Sequence, residues 1–313
     1  MNFQITKEVD RFIKENYDAC SKCNRTYVTD EEVIFGYSKE NKMLSVGSCC
    51  EKYLTKKHLK RFYGERPYKS PKKDEILWKF MDLPKFVSML KTKSLFFTRA
   101  DKFDDPFEGA RGTLKNKEQW DEIYLKYLID ISKKISNDKN RPDKEIEEEA
   151  QKNLQNWELQ AIERKSKTGV NCWHENQFES EAMWKLYTSL DYGIAIKTNY
   201  KRLYEALGSD PDIDIGRINY INFDETFAHF FEPFWYKRKS FMHENEIRAI
   251  IRQDKEIEGF GKLMPVDLEM LIETIHVSPT AQSWFSELVI DIMEKYKLKK
   301  TVSESSLNDK PFF

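Results

Sequence analysis

DEILWKFMDLPKFVSMLKTKSLFFTRADKFDDPFEG, residues 74–109, decides the fold class. Ile76–Phe80 reads as a strand, and Pro84–Lys91 as a short helix with proline in its first turn. Ser94–Arg99 is a second strand. The DKFDDPFEG that follows is a loop, because the Asp-Pro step keeps Asp105 out of helical geometry. Outward from this unit the same irregular mixture continues. GVNCWHE (169–175), Tyr192–Thr198, Ile215–Ile221, EIRAIIR (246–252) and ETIHVS (273–278) read as strands. Between them lie helices over Ser180–Tyr187, supported by a Glu181–Lys185 pair, and Tyr200–Leu207. A final helix beyond Pro279 carries Trp284, Phe285, Leu288, Val289, Ile292, Met293 and Tyr296. Short strands alternating irregularly with helices imply an α+β fold rather than a doubly wound α/β one.

Residues 115–168 interrupt this pattern with an expected helical pair. Trp120, Ile123, Tyr124, Tyr127, Leu128 and Ile131 recur at helical spacing, and Leu154, Trp157 and Ile162 continue after a charged stretch. Its charge runs read as solvated faces. The main domain is expected over 75–313, a cysteine-rich module over 1–70, and KSPKKD (69–74) as a linker between them.

The chain has 313 residues, 40% hydrophobic and 34% charged, yet 52 Lys and Arg nearly cancel 53 Asp and Glu. A net charge of −1 gives no global attraction to nucleic acid or anionic membrane. No apolar run approaches the ~20 residues of a membrane span. The charged N-terminus lacks a signal-peptide core, and an odd cysteine count disfavours a disulfide framework, so a cytoplasmic location is expected.

Four of the five cysteines, Cys20, Cys23, Cys49 and Cys50, bracket a hairpin formed by EEVIFGYS and KMLSVGS. A C-x-x-C turn and a returning pair supply four thiolates to one ion, which points to a structural zinc site in a zinc-ribbon or treble-clef-like module. Adjacent side chains on extended backbone diverge, so Cys49 and Cys50 need a turn at Ser48; otherwise His58 is the fourth ligand. The stretch Lys56–Tyr68, basic and aromatic, reads as a solvated linker, with nucleic-acid contact as the sharper alternative.

Phosphate-binding glycine loops, H-E-x-x-H and G-x-S-x-G are all missing, which excludes the common kinase, ATPase, dehydrogenase and hydrolase signatures. Polar residues cluster instead at Asp104–Glu108, at Cys172–Glu175 with Glu179 and Ser180, and at His243–Arg248. The bland readings are a turn cap at Asp105, a helix start at Ser180 and the exposed face of an edge strand for Glu244, Glu246 and Arg248. Cys172 beside His174 reads better as a buried structural cysteine than as a nucleophile.

In order, LWKF…LFFTRADKFDDPFEG, VNCWHENQFESEAMWKLY…GIAIKT, YKRKSFMHENEIRAII and IHVSPTAQ resemble the bacterial family known as domain of unknown function 2971, over about residues 75–313. That family is in turn similar to ADP-ribosyltransferase-like folds. The resemblance implies a split two-sheet core around an NAD cleft, with the helical pair and the cysteine module as additions. It implies an NAD-consuming ADP-ribosyltransferase-like enzyme, in the manner of a toxin or antiphage effector, acting on an unidentified protein or nucleic acid. Glu246 would be its catalytic carboxylate, with Glu244 beside it. Arg99 or Lys79 would contact the phosphates or ribose, Ser180, Trp184 or Tyr187 the nicotinamide end, and Asp105 joins the cofactor-binding set. Two other readings stay open. One is a non-catalytic module binding nucleic acid or a partner protein through the zinc site and the aromatic-basic stretch Phe230–Phe241. The other is a metal-dependent nuclease using Asp104, Asp105, Glu108 and Glu175.

Overall fold

A computed structural model describes residues 12, 16, 18–28, 31–64, 66–135, 141–208, 210 and 212–313. The side chains of His58, Arg61 and Phe62 are outside that description, so the His58 alternative lies outside the described residues. The chain divides into two units, one within residues 1–67 and the other spanning 68–208 and 213–313.

In the small unit, β1 (Glu32–Tyr37) pairs antiparallel with β2 (Met43–Val46) and β3 (Lys56–Phe62), in the order β2-β1-β3. The expected hairpin turns at Asn41, which adopts a left-handed φ of 55°. Val33, Ile34, Phe35, Val46, Tyr27 and Tyr63 form the core together with Cys20 and Cys50. β3 corrects the linker reading of the basic stretch: Lys60 is paired with Glu32 at 3.0 Å and Lys57 with Glu51. At Gly36, where the β1–β3 register shifts, a Cβ would sit 2.1 Å from the Lys56 carbonyl oxygen, so only glycine allows the strands to meet.

The large unit is built on a nine-stranded sheet. Its strands are β4 (Ile76–Asp82), β5 (Ser94–Arg99), β6 (Thr168–Glu175), β7 (Gly193–Asn199), β8 (Ile213–Arg217), β11 (Glu246–Arg252), β12 (Gly261–Pro265), β13 (Thr274–Val277) and β14 (Thr301–Ser303). A parallel pair, β9 (Asn219–Ile221) and β10 (Tyr236–Arg238), stands apart. The predicted strand over 215–221 is thus two strands in different sheets. A mixed α+β architecture follows directly.

The sheet forks at β6. One edge of β6 carries β11 along its whole length, from Glu246 opposite His174 to Arg252 opposite Thr168. Its other edge is shared, with β5 beside Gly169 and Val170 and β4 beside His174 and Glu175. Between them the ladder is interrupted, and side chains replace it. Lys79 Nζ donates to the Cys172 carbonyl at 2.9 Å, and Asn171 Nδ2 to the Phe96 carbonyl at 2.8 Å.

Strand alternation assigns every residue to one of two faces. Leu77, Met81, Trp173, Ile194, Ile196, Ile247, Ala249 and Ile251 share a face and form the main core with Phe86 of the helix Leu83–Thr92 and Phe285 and Val289 of the helix Ser283–Lys295. On the other face lie Trp78 and Phe80 of β4, Cys172 and His174 of β6, and Glu246, Arg248 and Ile250 of β11. The helix Glu181–Tyr187 covers part of it through Met183 and Trp184, which pack on Phe80 and Ala195.

Residues 69–74 are bound rather than free. The Arg217 N–H donates to the Lys69 carbonyl at 2.9 Å and the Lys201 N–H to the Lys73 carbonyl at 3.0 Å. Just before them, Tyr68 stacks on Trp235 at 4.0 Å. The inserted helices Lys117–Ile135 and Asp143–Lys167 pack through Trp120, Leu128, Ala150 and Leu154, and take Phe230 from far along the chain into their core. Among the described residues no helix is long and apolar enough to cross a membrane.

Candidate functional site

The face of β11 that carries Glu246 and Arg248 is not an exposed edge. β11 lies between β6 and β8, and Arg248 is 0% exposed with Glu246 4% and Glu108 2%. Buried charges must be paired, and these are. Arg248 donates to Glu108 through Nη1 at 2.5 Å and Nη2 at 2.8 Å, to Glu246 through Nε at 2.6 Å, and to the Phe234 carbonyl at 2.7 Å. Glu108 comes from the Asp-Pro-Phe-Glu loop, whose turn needs Gly109 at φ 71° because a Cβ there would meet the Phe234 ring at 2.5 Å.

Lys237 joins the second carboxylate to this network. Its ammonium is 3.1 Å from Glu246 Oε2 and is also paired with Glu244. Tyr187 Oη donates to Glu244 Oε1 at 2.9 Å, and the Glu246 N–H donates to Tyr220 Oη at 2.8 Å. Burial alone pushes the Glu246 carboxyl up, but Arg248 and Lys237 overcome it and hold the group at about 2. It is therefore an anion throughout the physiological range. Burial and the two glutamates raise the Tyr187 phenol well above its ordinary value, so it stays a donor. Burial drives the His174 imidazole down, hence neutral, and its Nδ1 lies 2.6 Å from the Glu244 carbonyl oxygen, which can only accept. That leaves Nε2 the accepting tautomer position, buried and without a hydrogen-bond partner among the described residues. Cys172, opposite Arg248 in register, has its thiol raised by burial and then by Glu246, which matches the structural reading over the nucleophilic one.

The other residues singled out from sequence lie elsewhere. Arg99 pairs with Gly169, which pairs with Ile251, so it is on the face opposite Glu246; it holds Asp101, Glu256 and the Ile257 carbonyl. Lys79 also belongs to that opposite face, in the fork of the sheet, with its ammonium pushed down to about 8 by burial. Asp105 accepts the Phe107 N–H at 3.1 Å and pairs with Arg238 at 2.7 Å. Ser180 caps its helix by accepting from the Met183 N–H at 3.3 Å. Trp184 is fully buried and donates to Glu179 at 3.1 Å. Glu175 is engaged by Arg217, whereas Asp104 and Asp105 are not grouped with it. Within the aromatic-basic stretch Phe230, Phe234 and Trp235 are buried and Lys237 is committed to the glutamates, whereas Phe231, Lys239 and Ser240 are exposed. Sequence reasoning overlooked Tyr220 as a site residue, and placed Lys237 in a binding stretch rather than beside the glutamates. The only sequence signal for Lys237 was a lysine set among aromatics.

Glu179 accepts from Ser305 Oγ at 2.6 Å, the Ser306 N–H at 2.9 Å and Trp184, with His276 at 3.5 Å. Burial raises its pKa, but these donors prevail and hold it at about 2. A depressed carboxylate contributes stability above its unfolded value of about 4.3 and loses it as pH falls through 2. Glu179→Gln is therefore expected to destabilise by about 2–3 kcal/mol near neutrality. In urea titrations across pH the gap from wild type should close between pH 4.5 and 2; a gap independent of pH would refute the assignment.

In the small unit the four cysteine sulfurs lie within 4.8 Å of one another, and Cys23 Sγ to Cys49 Sγ is 3.8 Å. A tetrahedral zinc with Zn–S near 2.3 Å needs sulfurs about 3.8 Å apart, so the group can hold a metal ion. Cys49 and Cys50 sit on a turn, and Cys50, at φ −132° and ψ 10°, begins a short 3-10 helix, which lets neighbouring side chains converge. At Cys20, burial raises the thiol, but the Cys23 and Lys22 N–H groups bring it to about 7. Asn24 closes that knuckle in the left-handed region at φ 58°.

Fold and site together define a mixed α+β protein with a buried carboxylate–cation cluster and a four-cysteine group. No family model matches the chain and no curated protein does, so membership of the domain-of-unknown-function family is not shown. Among solved structures the chain is similar to the DarT of Thermus sp. 2.9 in complex with NAD+, at 8% identity and a TM-score of 0.36, covering 77% of this chain and 100% of that one. The same protein in complex with ADP-ribosylated ssDNA gives 8%, 0.36, 78% and 100%. A superposition that loose does not define a shared site.

Proposed function

We propose that the large unit is an ADP-ribosyltransferase-like enzyme that consumes NAD, with Glu246 and Glu244 as its catalytic carboxylates. The observation that carries this reading is the convergence of both glutamates on Lys237, with the Tyr187 hydroxyl on Glu244. Cleavage of the nicotinamide–ribose bond passes through an oxocarbenium-like state, as glycoside hydrolysis does. Such a state is stabilised by a fixed anion rather than by a base that must titrate. Glu246, kept ionised by Arg248 and Lys237, has that property. Tyr187, 43% exposed and hydrogen-bonded inward through its hydroxyl, is the member of the cofactor-facing set best placed to meet a ligand. We further infer that the cysteine group binds zinc structurally, since four thiolates leave no open coordination position.

The test is transfer of label from NAD, in a lysate, by wild type, Glu246→Gln and Glu244→Gln. Loss of at least about a hundredfold with Glu246→Gln is expected, the scale of removing one transition-state electrostatic partner. Circular dichroism of each variant separates this from misfolding, and Tyr187→Phe should retain the fold while weakening transfer. Equal transfer by wild type and a folded Glu246→Gln would rule the role out.

A further inference from the structure

The loop that supplies Glu108 to Arg248 has a second, outward side. Pro106 and Gly109–Thr113 form one wall of a cavity of about 400 Å³, and the inserted helices form the other through Trp120, Ala161 and Ile162. Arg111 lines this cavity. Its guanidinium stacks on the Phe230 ring at 4.1 Å and the Trp120 ring at 5.2 Å, yet it makes no ion pair among the described residues. Its Nε is buried without a hydrogen-bond partner among them. Lys165 lines the same cavity, and Arg164 is near enough to depress Arg111 further. Among the described residues the one acid lining it, Glu158, is already paired with Lys117 at 2.5 Å.

A stacked guanidinium with no ion pair among the described residues, beside further cations, lacks an anion. The remainder of the wall is mostly apolar, with Leu114 and Ile162 largely exposed and Phe227 beside them, and Thr113, Asn116 and the Glu158-paired Lys117 as its other polar members. An occupant needs an oxyanion at one end and a flat apolar body at the other. We propose that this cavity binds a nucleotide unit, its phosphate on Arg111 and Lys165 and its base along Leu114, Ile162 and Phe227. Inorganic phosphate would leave the apolar wall unfilled. The planar fork of arginine suits phosphate geometry, and aromatic or aliphatic faces accept any base. The site is one loop away from the Glu108–Arg248 pair, so an occupant here lies beside the carboxylate cluster without entering it. The inference stands on its own geometry and needs no NAD chemistry.

Calorimetric titration of the full chain with deoxynucleoside monophosphates, a short homopolymeric DNA single strand and inorganic phosphate tests it. Arg111→Gln removes the charge, and Ala161→Phe fills the cavity while leaving Arg111 in place. Wild type is expected to bind the nucleotides more tightly than phosphate, with both variants weaker by about tenfold or more. A strand binding more tightly than the monophosphates identifies polymer as the ligand, and equal affinity identifies the free nucleotide. Nucleotide affinity no better than phosphate, affinity unchanged in both folded variants, or no binding at millimolar concentration would each overturn the proposal. Because the readout is equilibrium binding, its failure and the failure of the NAD reading are distinguishable.

Discussion

Arg248→Ala is expected to cost the large unit about 3–5 kcal/mol, the usual cost of removing one partner from a buried ion pair. The reason is what the substitution leaves behind. Glu108 and Glu246 would remain inside the protein facing one another across an empty volume, with Lys237 the cation still paired with Glu246. The Phe234 carbonyl would lose its donor as well. Arg248→Lys should recover only part of the loss, because a single ammonium cannot reproduce the two-oxygen contact to Glu108. Urea unfolding followed by near-ultraviolet circular dichroism is a suitable measurement, since the fully buried Trp235, stacked on Tyr68, reports packing of this unit. A loss below about 1 kcal/mol would mean that the triad is hydrated rather than buried, and the account of Glu246 as a fixed anion would go with it.

Removal of zinc is expected to have the largest effect on the small unit. Its core contains few large apolar side chains, and two of its eight buried members are the cysteines Cys20 and Cys50. Structural zinc contributes apparent binding energies of about 10–16 kcal/mol, more than such a core supplies. Purified protein should contain one equivalent of zinc, and Cys20→Ser or Cys50→Ser should abolish it. A chelator should expose Tyr27 and Tyr63 while Trp235 stays buried. His58→Ala with full zinc content is the matching expectation for a four-cysteine site. Zinc content unchanged in Cys50→Ser would reverse the ligand assignment and return the fourth position to histidine.

Much of the fold is legible because its signals are local. Ser94–Arg99 is found at the bounds its pattern indicates, and the helix Leu83–Thr92 carries in its first turn the proline that marks it. Ser180 is the cap that its residue type suggests. The reading failed where neighbours override local pattern. Lys56–Phe62 is polar enough to pass for a linker, yet it completes the small sheet because β1 has an open edge for it. Phe230–Phe241 resembles a sticky surface, but Phe230 fills one core and Phe234 and Trp235 another, while Phe231 stays exposed. The alternation of Glu244, Glu246 and Arg248 suits an exposed edge strand equally well; burial depends on β8, Glu108 and Lys237, which local sequence does not bring near.

By itself the sequence determined the α+β class, the pair of helices within 115–168 and the pairing of two cysteine turns, because periodicity, caps and C-x-x-C spacing act over a few residues. Tertiary structure alone decided which charges meet. Arg99 and Glu246 are both strand residues, but the register through Gly169 and Ile251 puts them on opposite faces. A one-residue change of register would reverse that outcome, since the side-chain period of a strand is two. Arg248 meets Glu108 across 140 positions and Arg111 lines a cavity between a loop and an insertion for the same reason: long-range packing sets them.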